Sequence, residues 1–250
     1  MATKVLDAVV IGGGPSGLGA SLALSGWRPY YVARCALEDY SMERHFRTAP
    51  RDVPIGAGVV RELAGSLHGR SNNPLALFFD ALQHPGVDRG MAEPSCLELR
   101  HKRSDDALSH VVLDSAPPGG SWHGMHEATR TLSPGPWMEL PGFPLADYLS
   151  ATPRADEASS AAAARRQPRR LIAQYYEEAA RFYGIAGQWR RTRASAVRRA
   201  RDGEETDQAH AHEHMHTCTH AHMHTCTCTH AHTHARTRTY TGRCVGGGDG

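Results

Sequence analysis

A valine-rich run that breaks abruptly into glycines leaves this chain few folds to choose from. VLDAVVI at 5–11 reads as a short buried strand, and GGGPSG follows at 12–17. LGASLALSG at 18–26 reads as a helix stopped by Gly26, and YYV at 30–32, after Pro29, reads as a second strand. Strand, glycine turn, helix and strand in that order over Val5–Arg34 describe a dinucleotide-binding β–α–β unit. Gly12 serves the tight turn, Gly14 lets a pyrophosphate approach the backbone, and Gly17 lets the helix pack on the strands. Together with Gly13, Pro15 and Ser16 they form the expected cofactor-binding turn, where the helix start offers free N–H groups and partial positive charge. The carboxylate that usually holds the adenosine ribose is absent from the strand end, which reads Val32, Ala33, Arg34. Either Glu38 and Asp39 reach back, or the ribose is held another way.

The body beyond this unit mixes helices and breaks. Residues 35–72 carry Pro50, Pro54, Gly56 and Gly58 and read as loops with a short helix near 59–67. NPLALFFDALQH at 73–84 reads as an amphipathic helix with Asn72 or Asn73 as its cap. A strand is expected over His110–Leu113, a glycine turn over PPGGSW at 117–122, and a proline-rich ordered loop over 133–146. Residues 151–169 form an Ala-, Ser- and Arg-rich insert expected to be mobile. RLIAQYYEEAARFYG at 170–184 has its apolar residues at helical spacing, so Tyr175, Tyr176 and Tyr183 read as packing groups, not chemical ones.

PGGSW at 118–122 resembles the GGxW element of flavin-containing monooxygenases, in which two glycines let backbone approach FAD and the Trp packs beside it. Four stretches in order carry a narrower likeness: ELAGSLHGRSNNPLALFFDAL (62–82), SHVVLDSAPPGGSWHGM (109–125), LSPGPWMELPGF (132–143) and IAQYYEEAARFYGI (172–185). They resemble the oxidative-stress-induced growth inhibitor family. That resemblance covers residues 5–187 and implies an α/β fold, a three-layer Rossmann-like FAD-binding domain. It places Gly119, Gly120, Ser121 and Trp122 in the GGxW element and puts Trp137 and Met138 in the loop near the flavin. It implies FAD as cofactor, NADPH as hydride donor in complete relatives, and a link to growth restraint under oxidative stress. No nucleophile–base pair is found; in flavin chemistry the cofactor carries the reaction.

The expected layout is a partial FAD-binding domain at 1–187 and a basic, then His/Thr/Cys-rich, disordered tail at 188–250. The tail lacks the second nucleotide-binding glycine motif, so the NADPH half is expected to be missing and turnover lost. Its grammar is peculiar. From Ala209 to Thr241 every even position is His, Cys, Arg or Tyr, and every odd one is Ala, Thr or Met except Glu213. Pyrimidine–purine–pyrimidine codons encode only His, Arg, Cys and Tyr, and the opposite pattern only Ala, Thr, Met, Val and Ile, so the stretch reads as translated CA-type repeat DNA. Ten histidines with Cys218, Cys226 and Cys228 would bind metal ions adventitiously, but strict alternation is no tetrahedral ligand spacing. A metal-binding tail is therefore the third reading, behind a flavin monooxygenase-like protein and a non-enzymatic growth regulator. The net charge of +2 argues for no specific nucleic acid. Two body cysteines, no leader and no membrane-spanning run lead one to expect a cytoplasmic or nuclear protein.

Overall fold

The structure, a computed structural model, describes residues 5–69, 71–89, 91, 93–101, 107–151, 165–199 and 240–241. Within these, β1 (Ala8–Ile11) runs into α1 (Pro15–Leu24). Helix α1 begins three residues before the expected Leu18, because Pro15 at its first position presets the helical φ. Gly26, at φ 91°, terminates it in the left-handed region. Strand β2 (Trp27–Tyr31) follows, then α2 (Tyr40–Thr48), α3 (Ala57–Leu63) and α4 (Pro74–Gln83). The cap of α4 is Asn73, whose side chain accepts from the Leu75 N–H at 3.0 Å. Strands β3 (Leu97–His101) and β4 (His110–Asp114) come next, then α5 (Leu145–Ala151), α6 (Arg169–Phe182) and β5 (Trp189–Arg191).

The sheet pairing differs from a simple β–α–β reading. Strand β1 lies parallel to β4 with Ala8 opposite His110 and Ile11 opposite Leu113, and β4 lies parallel to β5. Strand β2 instead pairs antiparallel with β3, Trp27 opposite His101 and Tyr31 opposite Leu97. Pro29 in the middle of β2 offers no N–H, which suits a strand on a sheet edge. The molecule is thus mixed α/β, with a three-stranded parallel sheet of order β1-β4-β5 and a separate two-stranded ribbon.

Each sheet has its own core. Val10 and Val112 turn toward α1, α5 and α6, where Leu18, Leu22, Leu145, Ile172 and Tyr175 are buried. Inside this core the Ser21 hydroxyl on α1 meets His110 Nε2 on β4 at 2.8 Å, while His110 Nδ1 faces the Leu108 carbonyl at 2.9 Å. A ring that donates from Nδ1 accepts at Nε2, so both buried polar groups are satisfied. The ribbon packs against α2, α3 and α4 through Tyr31, Met42, Phe46, Leu63 and Phe78.

One expectation needs correction. Among the described residues the helices cover one face of the parallel sheet; on the other, Val9 and Ile11 remain 38% and 52% exposed. A third layer is not among them. Past position 187, Trp189 is buried in the core and Trp189–Arg191 is a strand of the parallel sheet. Arg198–Arg199 pairs antiparallel with Tyr240–Thr241. Expectations for 152–164, 200–239 and 242–250 lie outside the described residues.

Candidate functional site

The two glycine turns, about a hundred residues apart in sequence, meet at the carboxyl edge of the parallel sheet. Gly12, at φ 100°, ends β1 and donates its N–H to the Leu113 carbonyl at 2.9 Å. The Gly13 carbonyl accepts from the Gly119 N–H at 2.8 Å. Gly119 and Gly120 both have positive φ, 113° and 56°. A Cβ on Gly120 would stand 2.8 Å from the Gly14 nitrogen, so the second turn lies directly on the first. A Cβ on Gly17 would stand 1.9 Å from the Gly12 carbonyl oxygen, which is how closely α1 approaches the turn. Gly14 differs: a Cβ there would meet nothing within 4 Å. Pro15 and Ser16 are exposed beside it. The first turn of α1 therefore faces open space with backbone N–H groups pointing out of the helix start.

Two residues missed in the sequence hold this junction. Asp114, at the end of β4, accepts from the Gly13 N–H through Oδ2 at 2.5 Å and from the Ala116 N–H through Oδ1 at 2.7 Å. One carboxylate thus fastens both turns. Trp189 lies against Gly13, and its buried indole N–H finds no hydrogen-bond partner among the described residues. The signal for Asp114 was an acid closing an apolar strand just before PPGG; nothing local signalled Trp189.

The other expected site residues are placed differently. Ser121 is exposed and Trp122 is half-buried against the α1–α6 core, both in a short 3₁₀ turn over Gly120–His123. Trp137 stacks on His84 at the end of α4, ring centres 4.2 Å apart. The Met138 carbonyl accepts from the Tyr176 hydroxyl at 3.0 Å. Tyr175 donates to the Phe143 carbonyl at 2.6 Å and Tyr183 to the Pro141 carbonyl at 2.5 Å. Tyr175 and Tyr176 on α6 and Tyr183 just past its end thereby pin the proline-rich loop, as packing residues with satisfied hydroxyls. At the ribose end, Glu38 is ion-paired with Arg89 at 2.7 Å and Asp39 caps α2 by accepting from the Met42 N–H. Neither reaches back. Arg34 donates to the Ser95 carbonyl.

Glu139 sits in the same pinned loop. Burial pushes its carboxyl up to about 7, against the lowering effect of the Leu145 N–H that it accepts at 2.9 Å; nearby Asp147 adds a smaller upward push. Between the ordinary carboxylate range and about 7 the folded chain holds a proton that the unfolded chain has lost. Stability therefore falls as pH rises through that window, by up to about 3 kcal/mol. Glu139→Gln keeps the oxygen acceptor and removes the charge. It should unfold at higher urea than wild type at pH 8 and at nearly the same urea at pH 5. Equal shifts at both pH values would contradict a buried, protonated Glu139.

Among the described residues no His, Cys, Asp or Glu cluster could hold a metal, and no helix is long and apolar enough to cross a membrane. No protein-family model and no solved structure matches the chain. Among curated proteins it is 36% identical over 201 residues to oxidative stress-induced growth inhibitor 2 of Homo sapiens, a match covering 80% of this chain and 38% of that one. It is 37% identical over 147 residues to oxidative stress-induced growth inhibitor 1 of Homo sapiens, covering 59% of this chain and 30% of that one. The oxidative stress induced growth inhibitor homolog of Caenorhabditis elegans is 29% identical over 151 residues, covering 59% and 32%. The chain therefore spans little more than a third of the length of these relatives at most.

Proposed function

We propose, from the premise that this chain belongs to the oxidative stress-induced growth inhibitor family, that its folded part is an FAD-binding unit serving growth control. The observation that carries this reading is the interlock of the two glycine turns at the start of α1. Ser16 and Gly17 would present their N–H groups to the pyrophosphate, Gly14 would let it approach, and Gly119 and Gly120 would wall the site. FAD, when bound, supplies electron transfer and oxygen activation that side chains cannot. No catalytic side chain is assigned. The ribose end fits less well, since Glu38 and Asp39 are engaged elsewhere, so the affinity should be modest.

Complete relatives would use NADPH as hydride donor. The glycine turns described here would take FAD alone, so this reading assigns no NADPH site to the described residues. The test is direct. Purified full-length chain in excess FAD should carry bound yellow flavin at equilibrium and melt higher than the chain alone. A colourless protein with an unmoved melting temperature in excess FAD would remove the reading and leave a purely non-enzymatic regulator.

A further inference from the structure

Cys35 and Cys96 lie 61 positions apart in sequence, yet their sulfurs stand 3.4 Å apart. Cys35 follows β2 and is partly accessible; Cys96 immediately precedes β3 and is fully buried. The two segments are tied by the Val32 N–H, which donates to the Cys96 carbonyl at 2.9 Å. Each thiol also faces backbone oxygen: Cys35 the Pro94 carbonyl at 3.7 Å, Cys96 the Cys35 carbonyl at 3.7 Å and the Pro94 carbonyl at 4.0 Å. Both cysteines sit outside the strands proper, where side chains can turn without breaking the ladder. Closing 3.4 Å to a bond of about 2.05 Å needs the sulfurs to approach by about 1.4 Å.

We propose that Cys35 and Cys96 are a redox-active dithiol that closes to an intramolecular disulfide, with Cys35 attacking the oxidant and Cys96 resolving the product. The oxidant is a hydroperoxide. The Cys35 thiolate attacks the terminal oxygen and the O–O bond breaks: the sulfur keeps that oxygen as a sulfenic acid, and the departing alkoxide, or hydroxide from hydrogen peroxide, takes a proton to leave as alcohol or water. The Cys96 thiolate then attacks the Cys35 sulfur, forming the S–S bond, and the departing hydroxide takes up the Cys96 proton as water. Two thiols lose two electrons and two protons, and one peroxide is consumed. The order follows from access, since only Cys35 is reachable from solvent. Burial pushes the Cys35 thiol up to about 12, helped by the Cys96 hydrogen bond and by Cys96, Glu93 and Glu43 nearby. Little thiolate exists at pH 7, so the pair responds to sustained oxidant, not to a brief pulse. This holds whether or not the glycine turns bind FAD.

Trypsin cuts the chain into one peptide at 35–44 and another at 90–100, each with a single cysteine. The full chain is treated with hydrogen peroxide, unfolded in urea with N-ethylmaleimide present so that buried Cys96 is also blocked, digested without reduction and weighed by mass spectrometry. The expected product is the two peptides joined, released as separate peptides by a phosphine reductant. Its rate of formation should rise about tenfold from pH 7 to pH 8, following the thiolate. In Cys35→Ser, Cys96 should stay reduced under the same treatment. Three results would each overturn the proposal: Cys35 and Cys96 both recovered as maleimide adducts, either one bonded instead to Cys218, Cys226, Cys228 or Cys244, or Cys96 oxidised as readily in Cys35→Ser.

Discussion

Gly17→Ala will destabilise the fold by an amount at or beyond the top of the about 1–3 kcal/mol that overpacking usually costs. The added methyl would stand 1.9 Å from the Gly12 carbonyl oxygen, and that oxygen belongs to backbone, not to a side chain that can swing away. Either α1 lifts from the turn or the turn leaves β1. Lifting α1 strips Leu18 and Leu22 from the core and separates Ser21 from His110. Net stabilities of small domains are only about 5–15 kcal/mol, so the loss is a large share of the total. Urea unfolding followed by circular dichroism measures it. Gly19→Ala is the matched comparison: it lies on the exposed face of the same helix, meets nothing, and should stabilise by about 0.5–1 kcal/mol. If both variants unfold at the wild-type urea concentration, α1 does not approach the turn as described.

How much of this was legible in the sequence depends on how local each signal was. Helices α4 and α6 announced themselves by apolar spacing and by Asn73 and Gly184 at their ends. Helix α2 did not, because only Met42 and Phe46, four residues apart, face inward from a polar run. Strand β3 was hidden for the same reason: Leu97 and Leu99 alternate with Glu98 and Arg100, too short a pattern beside so many charges. Arg100 even serves packing, its guanidinium lying 4.7 Å over the Tyr30 ring. Trp189 was lost inside an arginine run whose composition suggested that the fold had ended. The glycines of the site were visible as residues, in two short turn motifs. Their meeting was not, because it depends on β4 pairing in register with β1, which brings Asp114 to Gly13. The contacts of Trp137 with His84 and of the Met138 carbonyl with Tyr176 were likewise not legible, because each joins segments distant in sequence.

Gly14→Asp separates the glycine turn as a scaffold from the glycine turn as a phosphate site, because the two roles predict opposite effects. Gly14 is the N-cap of α1, with φ −71° and ψ −171°, a conformation open to any residue, and its Cβ position is empty. Aspartate is among the best N-cap residues, and its charge suits the helix dipole. Asp114 is engaged with the Gly13 and Ala116 N–H groups, so its repulsion on the new carboxylate is partly neutralised. The variant should therefore melt within about 2 °C of wild type, which is a change well under 1 kcal/mol. Under the proposed FAD reading, the same carboxylate would stand where a pyrophosphate would approach and would take the N–H groups offered to it. Two like charges a few ångströms apart at a partly buried site cost on the order of 3–4 kcal/mol. FAD affinity, read by flavin fluorescence titration, should drop on the order of 100-fold or more. Unchanged affinity together with unchanged melting would move any FAD site away from α1. Lost affinity with growth restraint intact in cells would assign that restraint to the protein's surface instead of its cofactor. The outcome matters because Gly17 is required by packing whether or not a nucleotide binds, while Gly14 has no such structural reason to be glycine.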